Sequence, residues 1–504
     1  MNELESTISQ IIEENFIPYE WNENIDNELD GLSLDTGLKR KDLTKVPFVT
    51  IDGADAKDFD DAVCCSLNDS SFILDVAIAD VAELVKLESA LNKEAMQRGT
   101  SIYFPSKVIP MLPEKISNNL CSLVPNEIRN VLVCEIVFSL NGDLTSYKFF
   151  EARIKSHKRM TYSEVEDYIK NRNLNASKNI KDSLDSLNIL TKNLLAKRTK
   201  RQALEIDSQE PILQISKNGK IENISVPNRL YAHQMIEESM LAANVCAASF
   251  MNKHYKFGVY RVHEKPDDIK LDSLKAFFSL KGFSGGFKKE PLELITQCLK
   301  YSAKKDLNKI LQTVVLQSLK RAEYSTKEIG HFGLQLDRYS HFTSPIRRYP
   351  DLMTHRLIKN ILNNGNLEID KELIEEDCKE MSELERIAEK ASRQVTQQMI
   401  CYHIKKFIGH EFNSVVTGIT DFGLFAEIDG FYVSGLIHVT DLPGDRYFYD
   451  REANLLKGKK TGRTYRLGQN IKIQIANVTP QERKITLIPD HKSNNKRWQK
   501  KKMI

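Results

Sequence analysis

The spacing of apolar positions changes character several times along the chain, and each change marks an element. Residues 4–15 carry apolar side chains at helical spacing, which predicts a short helix followed by an irregular acidic linker to about residue 45. From 46 to about 141 strand-like apolar runs dominate, at 48–51, 72–78 and 131–140. Between Val81 and Arg98 the pattern turns helical, and Thr161-Tyr-Ser-Glu164 has the form of a capping box that opens a helix. Residues 228–252 have the spacing of a long core helix. A further helix begins near Asp351, and 371–406 reads as a long charged one. Near Gly409 the period changes again. EFNSVVTGITDFGLFAEI alternates and breaks at glycines, as short strands with turns do, so a domain boundary is expected at about 405–410.

Composition narrows the class. With 504 residues the chain is long enough for several domains and a large core. No apolar run reaches the ~18 residues of a membrane span, and the N-terminus lacks a secretory pattern. The eight cysteines are scattered, with Cys64 and Cys65 adjacent and no Cys-x-x-Cys pair. They read as free core thiols in a reducing compartment, without a zinc site or a disulfide framework. A cytoplasmic location is expected. Charge is uneven although the net is only +3. No Lys or Arg occurs before Lys39, whereas Lys492, Lys496, Arg497, Lys500, Lys501 and Lys502 form an acid-free tail. Such a tail suits attachment to a polyanion such as RNA, or a solvated disordered terminus, and composition leaves both readings open.

Three constellations carry candidate chemistry. IDGADAKDFDD, residues 51–61, holds Asp52, Asp55, Asp58, Asp60 and Asp61. Like charges so close repel, and burying them is costly unless a cation neutralises them. A calcium loop of the EF-hand type counted from Asp52 would need Gly and Glu where Lys57 and Val63 stand, so that reading fails. Magnesium with oxygen ligands fits better, and paired ions can activate water and stabilise the leaving oxygen of a phosphodiester. Some of these aspartates could instead be turn formers. The second constellation is HFTSPIRRYPDLMTHR, where Arg347 and Arg348 follow a Ser-Pro-Ile turn. Adjacent guanidiniums suit phosphate, or ion pairs with acids such as Asp351. In the third, C-terminal, segment Phe422, Phe425 and His438 could stack bases while Arg466 and Lys484 hold phosphates, or the aromatics could be core.

These motifs carry a resemblance. VPFVTIDGADAKDFDDAV, IAD, IPMLPEKISNNLCSL, ARIKSHKRMTYSEV, MIEESMLAAN, YRVHEKP and HFTSPIRRYPDLMTHR resemble, in order from about 45 to 403, the catalytic domain of the ribonuclease II / ribonuclease R family. TDFGLFAEI and GLIHVTDL resemble the S-one type RNA-binding OB domain that follows it there. The resemblance implies an α+β protein: an acidic N-terminal helix and linker (1–45), a large mixed sheet-and-helix RNB-type catalytic domain (46–405), a five-stranded OB-fold β-barrel (408–489) and a basic disordered tail (490–504). It implies a processive 3′→5′ exoribonuclease that hydrolyses single-stranded RNA to nucleoside 5′-monophosphates with two Mg2+ ions, Mn2+ being an alternative. Asp52, Asp58, Asp60 and Asp61 match the family's metal aspartates, with Asp60 and Arg347 in the catalytic roles. Tyr103 matches an aromatic that stacks near the RNA 3′ end, Tyr162 and Glu237 match ribose contacts, and Glu389 a contact at the end of the channel. Arg348, Phe422, Phe425 and His438 are further RNA-binding candidates.

Two departures accompany the match. Ile206 stands where the family usually stacks a Phe on the terminal nucleotides, so short products should be held less firmly. Only ~45 residues precede the catalytic region, too few for the two cold-shock domains usual there; the chain is either naturally short or truncated, and Met1 slightly favours the former. The expected partners are single-stranded RNA and the ribosome or RNA-degradation machinery, with no membrane, for a monomer. The rival readings are an RNA-binding protein with a dead nuclease domain, and a hydrolase of another phosphodiester.

Overall fold

A seven-stranded sheet carries the larger part of the chain, in the order Lys41–Asp42, Leu144–Lys155, Ile128–Ser139, Ser71–Ala79, Asp61–Leu67, Val49–Asp52, Lys158–Thr161. The computed structural model describes residues 2–34, 39–205, 211–226, 228–304, 308–365, 369–450 and 454–490. The five inner strands run antiparallel, and the strand at each edge pairs parallel with its neighbour. Ala77-Ile-Ala79 and Val131-Leu-Val-Cys134 are wholly buried in the middle strands, because helices Lys178–Lys200 and Tyr231–Tyr255 pack over this region. Apolar β-branched runs suit strands covered in this way.

The parallel pair Val49–Asp52 and Lys158–Thr161 places the site. Its register sets Asp52 opposite Thr161. Thr161 then caps helix Tyr162–Asn171: its hydroxyl accepts from Glu164 N at 3.2 Å while Glu164 accepts from Thr161 N at 2.7 Å. The capping box therefore stands where the sequence places it, and it brings Tyr162 beside the last residue of the aspartate strand.

Elsewhere local chemistry shifts the expected boundaries. The helical stretch 81–98 is two pieces, Val81–Leu84 and Ala90–Arg98, because Ser89 caps the second by accepting from Asn92 N at 3.0 Å. The helix expected at 228–252 runs Tyr231–Tyr255, since Leu230 is extended (φ −81°, ψ 159°) and serves as its cap. Strand Leu144–Lys155 and helix Lys178–Lys200 were not legible, the one half-exposed and weakly alternating, the other rich in charge on its open face. The segment expected as an irregular linker contains a second short helix, Asn24–Asp30.

The first helix, Glu3–Glu14, buries Leu4, Ile8 and Ile11 against the long helix Lys371–Ile404. Gln398 donates to Gln10 at 2.9 Å, and Arg483 of the C-terminal barrel reaches Glu14 at 3.0 Å. That barrel is closed, in the order Glu411–Ile419, Gly423–Ile428, Val433–His438, Lys484–Pro489, Asn470–Thr479. A Cβ on Gly423 would lie 2.2 Å from Ile437 O, so only glycine permits this strand crossing. A three-stranded sheet, Tyr447–Asp450, Leu455–Gly458 and Thr464–Arg466, stands beside it.

A second acidic cluster is structural. Asp80, Glu83 and Glu151 bring carboxylate oxygens within 4.8 Å of one another. Arg40 and Lys359 sit among them, at 2.7 and 2.6 Å from Asp80 and at 3.5 and 2.9 Å from Glu151. Burial would raise the Asp80 carboxyl, but Lys359 and Arg40 outweigh it and hold the group below the usual range. The eight cysteines are buried and unpaired, and among the described residues no helix is long and apolar enough to cross a membrane.

Candidate active site

Between strands Val49–Asp52 and Asp61–Leu67 the chain makes a loop whose backbone is tied down almost residue by residue. Asp52 Oδ1 accepts from Gly53 N at 2.7 Å, and Arg159 Nη2 donates to Gly53 O and Ala54 O at 2.8 and 2.6 Å. Ser122 Oγ accepts from Phe59 N at 3.0 Å and donates to Lys57 O at 2.6 Å. Leu123 N and Ala79 N donate to Phe59 O and Asp60 O at 3.0 and 2.9 Å. With its peptide groups satisfied in this way, the loop presents its carboxylates to a cavity of about 1950 Å³. Asp52, Asp55, Asp58, Asp60 and Asp61 all line it, and so does Arg347.

Asp60 is the deepest, at 4% exposure. Its Oδ1 accepts from Ile346 N at 2.8 Å, while its Oδ2 has no hydrogen-bond partner and lies 3.5 Å from Arg347 Nε. Burial pushes the Asp60 carboxyl well above its ordinary range, and the Arg347 charge offsets only part of this. Burial, with the Asp52 charge behind it, pushes Asp61 up to about 7, and Asp52 is raised by burial too. Among the described residues only the Asp80 trio gathers ligand oxygens within 4.8 Å, so the site aspartates are spread along the wall. An all-oxygen donor set with an orphaned buried oxygen and carboxylates that resist ionisation suits a hard divalent cation of the magnesium type.

This has a consequence for stability. Asp60 and Asp61 take protons in the folded state above the 3.8 of an ordinary aspartate. Their contribution is therefore fully present below about pH 4 and is lost as pH rises, for Asp61 through about 7. A divalent cation that binds the ionised cluster reverses this loss. Millimolar Mg2+ should raise the thermal unfolding midpoint at pH 8 and leave it nearly unchanged at pH 5. Equal shifts at both pH values would contradict the assignment of the metal to these aspartates.

The arginine turn is clamped from both sides. Ser344 N donates to Asp351 Oδ1 at 2.8 Å, and Arg347 O accepts from Ser101 N and Thr100 Oγ1, both at 3.0 Å. Arg348 takes the ion pair, reaching the fully buried Asp351 at 2.7 Å, although it also borders the cavity. Arg347 stays 42% exposed, braced by Ser344 Oγ at 3.0 Å. Both arginines therefore face an acid, Arg348 the buried Asp351 and Arg347 the cavity-lining Asp60.

Tyr103 is exposed in the hairpin Ile102–Phe104/Lys107–Ile109, and its hydroxyl donates to Asp58 Oδ2 at 3.0 Å. Tyr162 stacks on His233 with ring centroids 4.0 Å apart. Glu237, on helix Tyr231–Tyr255, accepts from Arg198 at 2.8 Å and from Arg229. Burial would raise it, but the two guanidiniums hold it below the usual carboxylate range. Tyr103, Tyr162 and Glu237 share the cavity with the aspartates. Glu389 is exposed on the long helix and does not line the cavity, although Ser392, one turn on, does. Ile206 lies outside the described residues.

Residues 40–364 match the RNB domain, and residues 405–488 match the S1 RNA binding domain. The chain belongs to the RNB domain family. It is 38% identical over 494 residues to Ribonuclease R of Escherichia coli K12, covering 93% of this chain and 60% of that protein. Ribonuclease R of Vibrio parahaemolyticus is 37% identical over 493 residues, covering 93% and 59%. The chain thus spans about 60% of the length of these curated relatives. Among solved structures, Mycoplasma genitalium RNase R in complex with ribose methylated single-stranded RNA superimposes with a TM-score of 0.92 at 31% identity, over 97% of this chain and 78% of that one.

In the S1 domain Phe422 is 45% exposed and meets Phe425 edge-on, with centroids 6.1 Å apart. His438 pairs across the strands with Gly423 and is exposed, its Nδ1 2.7 Å from Thr440 Oγ1. The three side chains share one region of the barrel surface. Arg466 is exposed on the small three-stranded sheet, and Lys484 is exposed and pairs with Glu482 at 2.7 Å. Within the RNB domain, sequence reasoning missed Arg159, Ser122, Arg198 and Arg229, which hold the aspartate loop and Glu237 in place. Arg159 alone left a signal, two residues ahead of the capping box and therefore opposite the aspartate strand.

Proposed function

We propose that the chain is a 3′→5′ exoribonuclease that degrades single-stranded RNA processively to nucleoside 5′-monophosphates. The observation that carries this reading is the unpartnered Oδ2 of buried Asp60, placed 3.5 Å from Arg347 on the wall formed by Asp52, Asp58 and Asp61. Those four carboxylates would hold two divalent ions, Mg2+ or alternatively Mn2+. When bound, such ions supply Lewis acidity at a phosphodiester and make water nucleophilic at neutral pH.

The chain's own residues divide the remaining work. Arg347 sets a fixed positive charge beside the aspartates, where the scissile phosphate gains negative charge in the transition state. Tyr103, anchored on Asp58, offers its ring to the 3′-terminal base. Glu237 is kept ionised by Arg198 and Arg229, and an ionised carboxylate only accepts hydrogen bonds. It therefore suits a ribose hydroxyl as donor and favours RNA over DNA, with Tyr162 alongside. The exposed Phe422 and His438 of the S1 domain, with the half-buried Phe425 beside them, add stacking surface outside the cavity, and Arg348 borders the phosphate path. Glu389 would contact the nucleotide at the end of the channel. None of these groups reads a base edge, so sequence preference should be slight and salt dependence strong. The Mycoplasma relative, whose structure holds single-stranded RNA, supports this substrate class. A cytoplasmic monomer working with the ribosome or the RNA-degradation machinery completes the proposal.

The test is a panel of RNA and DNA oligomers of matched sequence, incubated with Mg2+ and resolved by length. RNA should be shortened and DNA left intact. Equal cleavage of both would overturn the ribose reading, and binding of RNA without cleavage would make the chain an RNA-binding protein.

A further inference from the structure

The N-terminal segment reaches the cavity before the RNB domain begins. After helix Glu3–Glu14 the chain runs Phe16-Ile-Pro-Tyr-Glu-Trp21, and Tyr19, Glu20 and Trp21 line the same cavity as the aspartates. Two cations of the domain fix this arm. Arg98, 6% exposed, donates to Pro18 O at 3.0 Å and Glu20 O at 2.9 Å and lays its guanidinium 3.6 Å from the Trp21 ring centroid. Lys107 donates to Tyr19 Oη at 3.1 Å, with its ammonium 4.8 Å from the Tyr19 ring centroid.

The two aromatics are treated differently. Trp21 is an anchor, half-buried with Arg98 over its ring. Tyr19 is held by its hydroxyl while its ring stays 49% exposed on the cavity wall. The hairpin that supplies Lys107 also supplies Tyr103, with Tyr103 opposite Val108 and Phe104 opposite Lys107. One hairpin thus touches Asp58 through Tyr103 and the arm through Lys107, and Tyr19 and Tyr103 line one cavity with the aspartates.

We propose that Tyr19 is a base-stacking platform for the incoming single strand, 5′ to the nucleotide on Tyr103, with Lys107 taking the neighbouring phosphate. The inference rests on the RNA reading above and adds a subsite to it. An amphipathic ring held by Lys107 both at its hydroxyl and through the ammonium over the ring is positioned in advance, so its exposed apolar surface is offered at little ordering cost, and stacking tolerates any base. Glu20 on the same wall repels phosphate there, which leaves bases and ribose facing the arm and the backbone on the Lys107 side.

Binding of fluorescein-labelled RNAs to the Asp60→Asn protein tests this by anisotropy, with lengths of about 3 and about 12 nucleotides bracketing the subsite. Adding Tyr19→Ala should weaken the longer RNA by about 5- to 100-fold and leave the shorter unchanged. Tyr19→Phe should bind both like the parent, because the ring remains and only the Lys107 bond is lost. Tyr19→Leu, which keeps bulk for folding, should weaken the longer RNA as Tyr19→Ala does. Unchanged affinity in Tyr19→Ala, or an equal loss in Tyr19→Phe, would overturn the platform and leave a structural brace. Failure of the parent to bind either RNA would overturn the RNA reading itself, and this subsite with it.

Discussion

Asp60→Asn should lower RNA hydrolysis by about 1,000-fold or more, on the scale of the several kcal/mol that a bound metal's charge supplies. It should leave RNA binding and folding in place. The reason lies in how the two oxygens of Asp60 are used. Oδ1 accepts from Ile346 N at 2.8 Å, and the amide oxygen of Asn can take that bond. Oδ2 has no hydrogen-bond partner, so replacing it by an amide costs the fold only the 3.5 Å ion pair with Arg347. The folded state holds the Asp60 carboxyl well above its usual range, mainly through burial, so its ionised form opposes folding near neutrality. Without metal at pH 8 the variant should therefore unfold at the same temperature as the wild type or higher. A rate assay and a thermal melt in EDTA check the two halves. Retained turnover would remove Asp60 from the metal site, and a large drop in melting temperature would make its role structural.

Arg347→Ala should cost about 10²- to 10³-fold in kcat, the range for removing one group that stabilises transition-state charge, with little effect on folding. Its side chain is 42% exposed and its one hydrogen bond to a side chain is to Ser344 Oγ. The neighbouring Arg348→Ala should behave in the opposite sense. Asp351 is fully buried, and removing its partner leaves a buried charge without compensation, a loss of about 3–5 kcal/mol. Arg347→Lys should recover part of the rate, since it restores the charge without the planar fork. Single-turnover rates and denaturant unfolding of the three variants separate these outcomes. A destabilised Arg347→Ala, or an Arg348→Ala that folds normally and loses only rate, would reverse the roles assigned to the pair.

The difference between these arginines shows where sequence reading stops. Ser-Pro-Ile-Arg-Arg announces a turn with two cations, but which one turns inward depends on Asp351, a turn further along helix Tyr349–Leu362. That the aspartates would gather at one place was legible because all five fall in one short stretch at a strand end, and all five line the cavity. Their supports were not, since Arg159, Ser122 and Ile346 reach the loop from three distant segments. The central strands and the closed barrel could be read because burial on both faces or on one leaves a plain apolar period. Strand Leu144–Lys155 carries no such period. The acidic N-terminal segment read as a linker because what fixes it, Arg98 on Trp21 and Lys107 on Tyr19, lies in another part of the chain.

The central claim is that these aspartates and Arg347 hydrolyse RNA from its 3′ end. A time course with Mg2+ on a 5′-labelled single-stranded RNA of about 30 nucleotides, longer than a typical OB-fold footprint, tests it most directly. The account predicts that full-length RNA disappears into one very short labelled product without a ladder, and that Asp60→Asn leaves the RNA bound and whole. Release of labelled mononucleotide from the 5′ end, or wild-type protein that binds the RNA and never shortens it, would contradict it.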